Sequence, residues 1–268
     1  MTDKHKELVK QHFEATAQRW DDIYSRVEKV NDLVQGQRKD YAIAFLKDVA
    51  APGSKVLDVG CGAGIVSIEA ARMGFLVTGI DIAEQMINHC RSNLEKSDVE
   101  KSKCRFVCGD VFDIKFDDGA FTAILALGFL EYQKNESRML HELNRILEPD
   151  GILIISGPQK YTIANCFRLG YVVKSVYLTV KKMIGKKVVE GEETSINEYS
   201  LRRFKTLLEP AGYKAVDYKR HGYANFMFLR ELIGFKGELL LYRFFTGLSK
   251  IFPVNLFANN IIVVAKKK

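Results

Sequence analysis

Val56 to Gly64 reads V-L-D-V-G-C-G-A-G, and the fold is decided there. Lys55 to Val59 predicts a short buried strand, and glycines at Gly60, Gly62 and Gly64 then give a turn where backbone can approach a ligand closely. Ile65 to Arg72 (I-V-S-I-E-A-A-R) has apolar residues at helical spacing, so the glycines sit where a strand hands over to a helix. Such a junction presents unpaired N–H groups and the positive end of a helix dipole. Leu76 to Ile80 predicts a second strand ending in Asp81, 21 positions beyond Gly60, where a nucleoside ribose expects its hydroxyl acceptor.

D-V-G-C-G-A-G together with Asp81 resembles the first two motifs of class I S-adenosylmethionine-dependent methyltransferases. A dinucleotide dehydrogenase more usually shows Gly-x-Gly-x-x-Gly, and Ile65 stands where that pattern puts its third small residue. Asp58, two positions before the glycines, is likewise the methyltransferase habit. The resemblance implies a doubly wound, seven-stranded, mainly parallel α/β sheet, with S-adenosylmethionine as cofactor. It sets Asp58, Gly60, Cys61, Gly62, Asp81, Ile82, Met86, Asp110, Val111 and Leu127 along that cofactor.

With 268 residues, 47% of them hydrophobic and 27% charged, the chain suits one large α/β domain. Five cysteines without paired C-x-x-C spacing suggest neither a disulfide framework nor a zinc site, and no His/Asp/Glu cluster has metal-ligand spacing. The charged start M-T-D-K-H-K-E predicts no secretory leader, and the apolar runs near the C-terminus are too short to span a bilayer. A cytoplasmic setting is expected, with peripheral contact at the inner face of a membrane as a further option. The net charge of +7 divides into −5 over residues 1–150 and +12 over 151–268. The basic half fits an acidic substrate, an anionic membrane surface, nucleic acid or a solvated basic face.

Glu7 to Tyr24 predicts one or two helices before the core. Its pattern H-F-E-x-x-A-x-x-W-D-x-I-Y is similar to the segment that closes over the cofactor in quinone- and porphyrin-pathway methyltransferases, which makes Trp20 and Tyr24 candidates for a cation–π contact of about 0.5–2 kcal/mol with a sulfonium. Val34 to Leu46 predicts the next helix, and Arg38 on it suits the methionine carboxylate, as the resemblance to ubiquinone-pathway O-methyltransferases implies. A helix over 83–94, a third strand over 105–108 and G-D-V at 109–111 follow; in the family an acid at Asp110 accepts the adenine amine. Phe121 to Leu127 predicts the fourth strand. The (N/D)-P-P-(Y/F) motif of base amine methyltransferases does not follow it, and Leu130-Glu131-Tyr132 stands where ubiquinone-type enzymes often read L-E-H. Tyr132, His12 and His221 are the candidate general bases.

Ser137 to Leu147 predicts an amphipathic helix, Ile152 to Ser156 a fifth strand, Leu201 to Leu208 a helix, and Gly212 to Tyr218 and Asn260 to Ala265 a closing antiparallel hairpin. Residues 1–50 form N-terminal helices, 51–157 the cofactor core, and 158–200 and 223–258 two insertions expected to pack together as a helical cap within a single domain, 1–268. The first insertion reads alternatively as a basic amphipathic surface lying on membrane. The expected reaction is in-line methyl transfer to a small lipophilic acceptor, with O-methylation favoured. An RNA methyltransferase using the basic half, or a protein that binds the cofactor without catalysis, is the alternative.

Overall fold

The computed structural model describes residues 3–25, 27–113, 116–160, 162, 197–223, 230–251 and 253–268. Seven strands form one sheet: β1 (Lys55–Val59), β2 (Leu76–Asp81), β3 (Cys104–Cys108), β4 (Phe121–Leu127), β5 (Leu147–Pro158), β6 (Tyr213–His221) and β7 (Asn260–Lys267). Their order is β3-β2-β1-β4-β5-β7-β6. The first five run parallel, and β7 is antiparallel to both β5 and β6. The chain winds outward in one direction from β1 through β2 and β3, and in the other from β4, so a crevice opens at the carboxyl ends of β1 and β4.

Strand periodicity sorts the apolar side chains into two cores. Leu57, Val59, Ile124, Ala126, Leu153 and Ile155 point to a face covered by α5 (Glu136–Ile146) and α6 (Leu201–Leu208). Val56, Ala123, Leu125, Ile152 and Ile154 point to the other face, covered by α2 (Val30–Val49) and α3 (Ile65–Arg72). The helix α4 (Glu84–Lys96) follows β2, and the N-terminal α1 (Asp3–Ser25) packs across it through Phe13, Ala17 and Trp20 against Ala83 and Met86.

The structure moves several element boundaries. Helix α2 begins four residues before Val34, because Asp32 accepts the N–H groups of Glu28 (2.9 Å) and Lys29 (2.8 Å) and stops the helix there. Strand β5 begins at Leu147 rather than Ile152: Phe121 faces Leu147 while Ala123 faces Ile152, so L-E-P-D-G is an irregularity within the pairing, with Asp150 at φ 61°. The second insertion holds α7 (Arg230–Gly247), broken at Gly234 (φ 66°). Its Phe235, Leu239 and Tyr242 pack on Val30, Leu33 and Val34 of α2. Any contact of it with residues 163–196 of the first insertion lies outside the described residues, as does the expected cap over those positions.

Candidate active site

Each glycine of the first loop answers a different local demand. All three have positive φ (69°, 53° and 79°). A Cβ on Gly60 would lie 2.8 Å from the Phe129 ring, and one on Gly64 would meet Phe106 at 2.8 Å and Cys90 Sγ at 2.9 Å. Gly62 has nothing within 4 Å on that side, and it lines a cavity of about 370 Å³ at the crevice. That volume lies in the range of small-ligand sites. The loop is pinned from behind: Gly60 N and Cys61 N both donate to Ile80 O (2.8 and 3.1 Å), and Cys90 Sγ donates to Gly62 O (2.9 Å).

Asp81 ties the loop to α4, accepting Gly62 N–H on one oxygen and Ala83 N–H on the other, each at 3.0 Å. Both oxygens keep a lone pair for a further donor, which suits vicinal hydroxyls. Asp58 is held by the Ser67 hydroxyl at 2.6 Å. Burial pushes both carboxyls up to about 6; backbone N–H groups of Ala83 and Gly62 oppose this at Asp81, and Ser67 and Arg38 oppose it at Asp58.

Helix α1 lies over the opening and is fastened at several points. Glu14 accepts the N–H groups of Glu84 (2.7 Å) and Gln85 (3.1 Å), the free donors at the start of α4. Lys6 pairs with Asp110 and Asp113, each at 2.8 Å, and a His5 ring nitrogen lies 3.0 Å from Tyr132 O. Trp20 and Phe13 reach the cavity from this helix. The side chain of Tyr24 lies outside the described residues.

Of the other candidates, Arg38, Asp58, Gly60, Cys61, Gly62, Asp81, Ile82, Met86, Asp110, Val111, Leu127 and Tyr132 all line this one cavity. Asp110 has a competing partner in Lys6, and its second oxygen accepts Phe112 N–H at 3.0 Å. The two histidines are elsewhere. His12 is exposed on α1, and His221 is 1% exposed at the end of β6 against Tyr41; burial, with Arg38 nearby, holds its ring down to about 3. Neither lines the cavity, so neither is in place to take a proton there. Tyr132 packs edge-on to Phe13, and burial beside Glu131 pushes its phenol up to about 12. A phenol that weakly acidic is a poor base near neutral pH.

Glu131 is the group that reading the sequence passed over. It lines the cavity, its Oε2 is buried without a hydrogen-bond partner, and burial raises its carboxyl to about 7 against the opposing charge of Arg38. Arg38 packs on Gly128, where a Cβ would collide with its Nη1, and its buried Nε has no partner either. The position of Glu131 inside the L-E-H-like triplet was the only signal in the sequence. Among the described residues, no group of three or more His, Cys, Asp or Glu could hold a metal ion, and no helix is long and apolar enough to cross a membrane.

These features fit an adenosylated amino acid: an open glycine, a carboxylate with spare acceptor capacity, an arginine with a spare donor, and apolar walls at Ile82, Met86 and Val111. Residues 57–155 match the family described as "Methyltransferase domain". The chain is similar to a demethylmenaquinone methyltransferase of Tropheryma whipplei (strain Twist), 28% identical over 237 residues, covering 86% of this chain and 94% of that one. It is 30% identical over 156 residues to a ubiquinone biosynthesis O-methyltransferase of Alkalilimnicola ehrlichii, covering 57% of this chain and 61% of that one. Its fold is similar to a magnesium protoporphyrin IX methyltransferase from Synechocystis PCC 6803 with bound SAH, at TM-score 0.67 and 21% identity over 98% of this chain and 100% of that one.

Proposed function

We propose that the chain, whose residues 57–155 match a methyltransferase domain and which is similar to quinone-pathway methyltransferases, uses S-adenosylmethionine to methylate an oxygen of a small lipophilic acceptor of the quinol or phenol type. The cofactor supplies a methyl group carried on a sulfonium, and its transfer leaves a neutral thioether. The protein's task is then to align the acceptor oxygen, exclude water and remove the acceptor's proton.

In this reading Asp81 accepts the ribose hydroxyls, Asp110 the adenine amine, and Arg38 donates to the methionine carboxylate. Trp20 and Phe13 screen the reacting centre from water. Glu131, with its unpartnered oxygen, takes the proton that an acceptor hydroxyl loses as its bond to carbon forms. The apolar side chains of Val9, Phe13 and Phe129 at the cavity wall favour a lipophilic acceptor over a charged one. Relatives named for quinone methylation support the same acceptor class.

The observation that carries the reading is the placement of Asp81 between Gly62 and Ala83 at the cavity edge. Replacing Asp81 by Ala should remove measurable S-adenosylmethionine binding by titration calorimetry while the fold persists by circular dichroism. Undiminished affinity would refute the ribose assignment. Incubating the protein with methyl-labelled cofactor and a lipid extract, with products identified by mass spectrometry, tests the acceptor; label in RNA instead would overturn it.

A further inference from the structure

Helix α7 has two apolar faces, and α2 covers one of them. Phe235, Leu239 and Tyr242 pack inward on Val30, Leu33 and Val34, and Glu238, the one acid between 233 and 251, is buried. Positions on the opposite face turn outward. Leu240 is 70% exposed, Phe244 59%, and Ile251 beyond the helix end 55%. Leu240 and Phe244 stand one helical turn apart on that face, and of the eight large apolar side chains exposed among the described residues, four (with Ile233) fall between 233 and 251. Lys236, Arg243 and Lys250 lie exposed among them.

We propose that this face docks on an anionic lipid bilayer, with Leu240, Phe244 and Ile251 below the phosphates and Lys236, Arg243 and Lys250 among them. The mixture of groups selects the occupant. Nucleic acid would use the cations and leave the apolar side chains in water. A second copy meeting this face to face would bury the apolar groups but set cation against cation. A bilayer with acidic headgroups satisfies both, and the +12 balance of residues 151–268 adds attraction at longer range.

The place of the face in the fold gives docking a use. Strand β6 ends with His221 paired to Asn260, the first residue of β7, and Asn260 lines the cavity. The segment bearing α7 therefore leaves and rejoins the sheet beside the site. Helix α2 shows Gln35 and Arg38 to the cavity and Val30 and Val34 to α7. The purpose, though not the docking, rests on the lipophilic-acceptor reading: a bilayer is where such an acceptor dissolves.

The test is flotation of the full chain with phosphatidylglycerol–phosphatidylcholine vesicles and with phosphatidylcholine alone, beside the double variants Leu240→Glu/Phe244→Glu and Lys236→Glu/Arg243→Glu. Binding to the anionic vesicles is expected, weakened at least tenfold by either pair and by raised salt, with circular dichroism and S-adenosylmethionine affinity unchanged. No flotation of the parent chain, or equal flotation of both variants, overturns the proposal. So does a concentration-dependent dimer that Leu240→Glu/Phe244→Glu dissolves without any vesicle binding. Vesicle binding without methylation of any lipid-soluble acceptor would sink the acceptor reading and leave docking standing.

Discussion

At the scale of single residues, the site concentrates acids that burial holds protonated beyond their ordinary range. Asp58 and Asp81 both rise from 3.8 to about 6. A carboxyl whose folded pKa exceeds its unfolded value binds its proton more tightly when folded, so stability falls as pH climbs from about 4 through about 6. At about 1.4 kcal/mol per unit, each acid costs on the order of 3 kcal/mol once ionised. Urea denaturation of the cofactor-free protein should therefore show stability declining between about pH 4 and pH 6. An Asp58→Asn variant should flatten that slope. Glu131 has a separate signature. If it takes the acceptor's proton, kcat should climb as pH rises through about 7, where its carboxyl ionises. Glu131→Gln should lower kcat by about 10²- to 10⁴-fold and remove that climb with little change in KM. A Glu131→Gln enzyme that keeps the pH profile would move the proton to another group.

At the scale of elements, α1 is the part whose attachment matters most. It contributes Phe13 and Trp20 to the cavity and is held to α4 by Glu14, whose carboxylate caps the first turn of that helix from 70 residues away in sequence. A carboxylate at a helix N-terminus is also favoured by the dipole. Glu14→Ala should cost about 1 kcal/mol of stability by chemical denaturation. It should also weaken S-adenosylmethionine binding in calorimetry, because the aromatic side chains lose their anchor over the site. A stability loss with unchanged affinity would make α1 a packing helix only.

At the scale of the whole molecule, the sheet couples everything described. Strands β5 and β7 each contribute to both cores, and α2 touches the sheet, the cavity and α7 at once. Thermal unfolding followed by calorimetry should accordingly show one cooperative transition, shifted upward by S-adenosylmethionine. A separate early transition would mark part of the chain as an independent unit and contradict the single-domain expectation. The elements legible in sequence were those with strong local patterns. The glycine loop, β4 and α6 match the structure because strand and helix periodicities and positive-φ glycines are local demands. The start of β5 was not legible, because the register slip opposite Phe121 is settled by pairing with a distant strand.

The amino-acid order by itself determined β1, the glycine turn after it and α3, since strand length, helix spacing and glycine position are short-range constraints. It also singled out Asp58, Asp81 and Arg38, which the structure brings to one cavity. Only the tertiary structure decided that His12 and His221 lie away from the cavity and that Glu131 faces it with an oxygen left over. It alone decided, too, that α7 turns an apolar and cationic face outward. Burial and the loss or keeping of a partner are properties of what packs around a side chain, and in this chain those neighbours come from segments far apart in sequence.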